Sequence, residues 1–264
     1  MIKMVATDID GTIIKWGCDF SDGVKKCMKR LHDNGVKVVL VTGRMHCATT
    51  PVAERLGLKT PIVSYQGGLV KNQNGETLYC KNLNVEDAKK IIKWARENNV
   101  HINLYLNDEL FVEKDNDFVK KYTDGKFISY KVCSFDDLNI ENVNKILAID
   151  FNDEHRVTGW VDELQKAFPN LYIVKSTPYF CEIGSCDAKK SAGVEFLANE
   201  WGIKKEEILT IGDQDNDIEL LKSGGVPVAM GNASEELKKY ACYITDTVEN
   251  DGFVKAVEKY VFGE

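Results

Sequence analysis

Ile2-Lys3-Met4-Val5-Ala6-Thr7-Asp8-Ile9-Asp10-Gly11-Thr12 is an apolar, β-prone run that breaks abruptly into two acids, a glycine and a threonine. Residues 36–41 and 61–64 have the same strand-like composition. Between the first two runs the spacing predicts a helix. Ser21 stands at its N-cap, Val24, Met28 and Leu31 share one apolar face, and Gly35 marks its stop. Strand, helix and strand in that order make a β-α-β crossover, which calls for a parallel sheet. Open parallel sheets bind ligands beyond the carboxyl ends of their strands, so the loop from Asp8 to Thr12 lies where a site belongs.

Working outward, the same grammar returns near the C-terminus. Strands are expected at residues 208–211, 226–229 and 243–245, and Val194, Leu197, Ala198 and Trp201 form a helix face before Gly202. From 84 to 186 the pattern changes to an α+β one, with strands at 101–106, 145–151, 171–176 and 179–183 and helices at 85–98 and 156–168. The expected architecture is an α/β, Rossmann-like, doubly wound parallel-sheet core at 1–83 and 187–264, with residues 84–186 inserted as a separate α+β module.

Bulk composition excludes several classes. Hydrophobic residues make up 44% and charged residues 28% of the 264, so a folded globular chain is expected rather than a disordered or fibrous one. The formal charge of −7 leaves no concentrated basic surface, and nucleic acid is not an expected partner. Eight cysteines occur without a CxxC pair, which favours reduced thiols and a cytoplasmic setting over a zinc ribbon or disulfide framework. No signal peptide is recognisable, and no stretch reaches the about 20 apolar residues of a membrane span.

Four stretches carry candidate chemistry. Asp8 and Asp10, one residue apart just past a strand, can share a hard cation and still do different work, and magnesium suits such an oxygen-rich arrangement. Gly11 permits a tight turn, and Thr12 offers a hydroxyl and an N–H; a solvated Asp-Gly turn is the plain alternative. Thr42, Gly43 and Arg44 end a second apolar run, where the Thr42 hydroxyl and the following amide can hold a phosphate oxygen, although Arg44 could simply pair at the surface. After a third run come Gly212, Asp213, Gln214, Asp215, Asn216 and Asp217, whose acids repel one another unless a cation joins them. Lys190 starts a helix and could neutralise a phosphate, but its neighbour Lys189 is an equal candidate on spacing alone.

Taken together, these stretches resemble the haloacid dehalogenase superfamily, specifically its Cof-type, subfamily IIB, sugar-phosphatase-like branch with a large α+β cap. Asp8, Asp10, Gly11 and Thr12 match a DxDGT motif, Thr42 a TGR motif, and Gly212, Asp213, Asn216 and Asp217 a GDxxND motif. Aligning the turn at Gly202 and Ile203 places the family's lysine on Lys190. The resemblance implies a magnesium-dependent phosphatase acting on small phosphate monoesters. Asp8 would be the nucleophile and Asp10 the general acid and base. The metal would lie on Asp8, the Asp10 carbonyl and Asp213, and the phosphate on Thr42, Gly43, Lys190 and Asn216, with Thr12 and Asp217 supporting them from behind. Two departures stand out: Gln66 replaces the Asn usual after the third strand, and Asp215 is an additional acid. A phosphomutase of the same fold and a catalytically silent phosphosugar-binding module remain the alternatives. The expected partner is a small phosphorylated metabolite, and the expected assembly a monomer or small homo-oligomer.

Overall fold

The computed structural model describes residues 1–15, 17–125 and 128–264. The first part of the chain forms β1 (Met4–Thr7), α1 (Asp22–Asp33), β2 (Lys37–Leu40), α2 (His46–Arg55), β3 (Ile62–Ser64), β4 (Leu69–Lys71) and β5 (Thr77–Cys80). The middle forms α3 (Val85–Glu97), β6 (His101–Leu106), β7 (Glu109–Val112), α4 (Asp117–Thr123), β8 (Tyr130–Val132), β9 (Val143–Ile149), α5 (Glu154–Ala167), β10 (Leu171–Thr177) and β11 (Phe180–Ser185). The last part forms α6 (Lys190–Glu200), β12 (Ile208–Gly212), α7 (Ile218–Ser223), β13 (Val226–Ala229), α8 (Glu235–Lys238), β14 (Tyr243–Ile244) and α9 (Gly252–Val257). Two compact units result, Met1–Tyr79 with Lys189–Glu264, and Cys80–Ala188.

The first unit is built on a parallel sheet in the order β14-β13-β12-β1-β2, and a parallel bridge from Val41 to Val63 leads on towards β3. β1 is buried along its whole length because both of its faces are covered. Val5 points into a core with Val24, Met28 and Leu31 of α1, while Met4 and Ala6 point the other way, among Val194, Leu197 and Ala198 of α6. As expected, α1 begins at Ser21, whose hydroxyl accepts the Val24 N–H at 3.0 Å. It ends with Gly35 N–H donating to the His32 carbonyl at 2.9 Å and Val36 N–H to that of Leu31 at 3.0 Å, a Schellman closure. Register places the site: Thr7 is level with Leu40 on one side and Ile211 on the other, so β1, β2 and β12 release the chain at a common edge.

In the second unit the sheet order is β10-β11-β9-β6-β7-β8, antiparallel except for β7 with β8. Ile91 of α3, Leu164 of α5, Leu104, Ile146 and Ile183 share its core. Several boundaries differ by one or two residues from the sequence expectation. β9 covers Val143–Ile149 rather than 145–151, and α5 starts at Glu154 rather than 156. Side chains end the strand early: the Asp150 carboxylate accepts the N–H groups of Asn152 and Asp153 at 2.9 and 3.2 Å. Asp153 then caps α5 by accepting from His155 and Arg156 at 2.9 and 3.1 Å.

Cysteine serves packing at two core positions, Cys27 and Cys181, where burial pushes each thiol up to about 12. None of the described helices is long and apolar enough to cross a membrane.

Candidate active site

Asp8 is the first residue past β1, and its N–H still donates to the Ile211 carbonyl at 3.0 Å, which fixes the backbone beside β12. The chain then turns at Gly11, with φ of +84°, where a Cβ would lie 2.3 Å from the Asp213 carboxylate. Only glycine lets the two loops approach so closely. The buried Thr12 hydroxyl donates to Asp213 Oδ1 at 2.9 Å, so Asp213 is held from the first loop although it follows β12. Gln214 Nε2 donates to the other Asp213 oxygen at 3.0 Å.

Asp217 closes the third loop on itself: its Oδ2 accepts the N–H groups of Asp213 and Gln214 at 3.0 and 3.1 Å. Its Oδ1 receives Lys190 Nζ at 2.5 Å, and the same ammonium reaches Asp8 Oδ1 at 2.6 Å. Lys190 opens α6 and is 1% exposed, whereas Lys189 before it is exposed. Lys189 is the N-cap, with extended backbone, and Lys190 the first residue of the helix.

Carboxylate oxygens of Asp8, Asp213 and Asp217 all lie within 4.8 Å of one another, and all three residues are buried. Three acids against one ammonium form an electrostatically incomplete group. Burial pushes the Asp8 carboxyl well above the usual carboxylate range; Lys190 opposes the shift, while Asp217 and Asp213 add to it. Burial, then Asp217, raises Asp213 to about 6, against the pull of its bonds from Gln214 and Thr12. Burial alone would lower Lys190, but Asp217 and Asp8 outweigh it and hold the ammonium above its ordinary value. A divalent cation would relieve this repulsion, and an all-oxygen set of hard donors fits a cation such as magnesium or calcium better than a soft one.

Asp10 is turned elsewhere. Both of its oxygens are taken by the Arg44 guanidinium, through Nε to Oδ2 at 2.7 Å and through Nη2 to Oδ1. Arg44 N–H in turn donates to the Thr42 hydroxyl at 3.2 Å, so the second loop is tied both to itself and to the first.

Residues 5–257 match the family model for haloacid dehalogenase-like hydrolases. The chain belongs to that family. Among its relatives, the 5-amino-6-(5-phospho-D-ribitylamino)uracil phosphatase YcsE of Bacillus subtilis is 28% identical over 260 residues, covering 98% of this chain and 96% of its own. A haloacid dehalogenase-like hydrolase from Bacteroides thetaiotaomicron superposes with a TM-score of 0.88 at 28% identity, over 98% of this chain and 99% of that one. A subclass IIB sugar phosphatase shares the fold, with a TM-score of 0.84 at 24% identity over 99% of each chain. The protein is therefore an enzyme, a haloacid dehalogenase-like hydrolase with relatives that are phosphatases.

In this hydrolase Asp8, Thr12, Lys190, Asp213 and Asp217 form one connected group. Thr42 and Gly43 leave β2 at the same edge, and Asn216 meets them indirectly, its Nδ2 donating to Gln66 Oε1 at 3.3 Å. Asp215 stands outside the acid group and accepts the hydroxyl of Ser234, the N-cap of α8. Sequence reasoning missed the double pairing of Arg44 with Asp10, for which the Arg in the TGR stretch was a signal. It marked Gln66 only as a departure without a role, and Asp217 only as a support from behind.

Proposed function

We propose that this hydrolase is a magnesium-dependent phosphatase that cleaves small phosphate monoesters through an aspartyl-phosphate on Asp8. The observation that carries the reading is the Lys190 ammonium, 2.6 Å from Asp8 inside a buried acidic group at the edge where three parallel strands end. Such an arrangement sets an ammonium beside the carboxylate that would attack, and with a cation on the acids it would offer positive charge to a phosphoryl group.

Asp8, Asp213 and the Asp10 carbonyl would hold the magnesium ion, with Asp217 behind them, and when bound it supplies Lewis-acid charge that helps neutralise the phosphoryl oxygens. Asp8 attacks phosphorus in line, and the bond to the leaving alkoxide breaks as Asp10 delivers a proton to it. Asp10 then takes a proton from the water that opens the acyl phosphate, which regenerates Asp8 and releases inorganic phosphate. To carry a proton in either step, Asp10 has to free one oxygen from the Arg44 guanidinium, which holds both in this structure. The Thr42 hydroxyl, the Gly43 N–H, the Asn216 carboxamide and Lys190 donate to the equatorial oxygens. Phosphate monoesters are inert enough that enzymatic accelerations reach about 10²¹-fold, so no one of these groups suffices. The substrate is a phosphorylated metabolite such as a sugar phosphate, and residues 84–186, the expected cap, would select among such compounds.

A generic aryl phosphate tests the reading. Hydrolysis is expected with magnesium, a fall of at least about 10-fold with a chelator, and recovery when magnesium is restored in excess. Turnover indifferent to the chelator would remove the metal from the proposal, and no turnover of any phosphate ester would remove the activity.

The acid group also predicts how pH and metal combine. The folded Asp213 carboxyl titrates near 6, above its ordinary 3.8. Between those values the folded chain holds more protons than the unfolded one, so stability without metal falls as pH rises through that window. The share of that loss due to Asp213 is about 3 kcal/mol. A cation is attracted to the ionised acids, so magnesium should raise the melting temperature more at about pH 7.5 than at about pH 4.5. Equal increments would count against metal binding at Asp213.

A further inference from the structure

Between β3 and β4 the chain passes through Tyr65, Gln66 and Gly67, with φ angles of 51°, 56° and 95°. Three successive left-handed residues are unusual, and for Tyr and Gln the conformation is disfavoured by the Cβ. Both side chains are nonetheless buried, Gln66 to 7% exposure. The surroundings hold the turn in place: Tyr65 N–H donates to the Arg44 carbonyl and Gln66 N–H to the Thr42 carbonyl, each at 3.0 Å. At Gly67 a Cβ would lie 1.9 Å from the Lys189 carbonyl oxygen and 2.8 Å from the Lys190 nitrogen, so the turn sits directly against the peptide that starts α6. Strain concentrated at one point, and held from several sides, is where function is to be sought.

The Gln66 side chain reaches the remaining pieces. A Cβ at Gly43 would meet its Nε2 at 2.5 Å, so the carboxamide stands close against Gly43. Its Oε1 accepts from Asn216 Nδ2 at 3.3 Å. One short turn therefore touches the Thr42–Gly43 segment, the start of α6 at Lys190, and Asn216. These come from three separate parts of the sequence.

The geometry points to Gln66 as a positioning residue of the phosphate site, acting through Asn216 and the Gly43 segment; this rests on the phosphatase reading above. The Asn216 carboxamide, if unsupported, would have to be ordered as the phosphate arrives, at a cost in affinity. With Gln66 as acceptor, it is already oriented. The Gln carboxamide is one methylene longer than that of Asn, and that length spans the gap to Asn216.

The test uses the full chain loaded with magnesium, an aryl phosphate for kcat and KM, and inorganic phosphate for direct binding by calorimetry. Gln66→Ala is expected to raise KM and the phosphate Kd about 10-fold, with kcat falling less than about 3-fold and the melting temperature unchanged. Added to Asn216→Ala, it should produce a further rise well below its effect alone, because only the part acting through the Gly43 segment is left. Gln66→Asn, suited to the left-handed backbone but too short to reach Asn216, guards against a folding artefact and should raise KM several-fold. KM and Kd unchanged in Gln66→Ala and Gln66→Asn, or a full additional loss on the Asn216→Ala background, would overturn the inference while leaving a phosphatase intact. A wild-type chain that neither hydrolyses aryl phosphate nor binds inorganic phosphate would remove the proposed function and this inference together.

Discussion

Asp8→Asn is expected to reduce kcat by about 10⁴-fold or more and to leave the protein at least as stable as the parent without metal. The two outcomes share one cause. Asp8 is 7% exposed, and burial together with Asp217 and Asp213 raises its carboxyl, so the charge is tolerated there at a cost. An amide of the same shape removes that cost and keeps an oxygen for the Lys190 ammonium, which stands 2.6 Å away. What it loses is the anionic oxygen that attacks phosphorus. Steady-state kinetics and a thermal melt on the same preparation check both halves. Brief incubation with substrate followed by acid quench should also reveal a phosphorylated Asp8 in the parent and none in the variant. More than about 1% residual turnover, in protein free of contaminating phosphatase, would mean that another group performs the attack.

Lys190→Met is the second large effect. The parent lysine is 1% exposed and bonded to both Asp8 and Asp217. Methionine fills a similar volume but leaves buried acids facing one another without their counter-charge. Breaking a buried pair in this way costs about 3–5 kcal/mol. Activity should fall about 10³-fold or more, since both the ground-state network and the phosphate lose a cation. Magnesium should recover part of the stability but not the activity, because it can neutralise acids without donating hydrogen bonds to phosphate. Lys189→Met, at the exposed N-cap position of α6, should change stability by about 0.5 kcal/mol or less and activity less than about 2-fold. Chemical denaturation and kinetics of the two variants side by side make the comparison. If Lys189→Met were the damaging change, the buried ammonium would not be the one that serves the phosphate.

The strand exits were legible because a parallel strand buried on both faces is nearly all apolar, as β1 is from Met4 to Ala6 before the buried Thr7. Polar residues immediately after such a run stand out, which is how Asp8, Thr42 and Asp213 were found. Within the segment where the pattern changes, α4 and β8 were not resolved from sequence. They are short, and β8 is largely exposed, so it carries little apolar periodicity. The misplaced ends of β9 and α5 have a different origin. Ile149 is followed by two aspartates, Asp150 and Asp153, whose side chains capture backbone N–H groups, and that competition cannot be read from hydrophobic spacing.

Local order in the chain therefore determined the alternation of strand and helix, the parallel core and the polar loops that end its strands, since each depends on a few adjacent residues and their periodicity. Tertiary structure decided which lysine enters the site, that Arg44 holds Asp10, that Asp217 joins Asp8 and Asp213, and that Gln66 links Gly43 with Asn216. Those pairings join residues far apart along the chain. They exist because β1 lies between β2 and β12 in a register that brings their ends level, and because a strained left-handed turn is pressed against the start of α6.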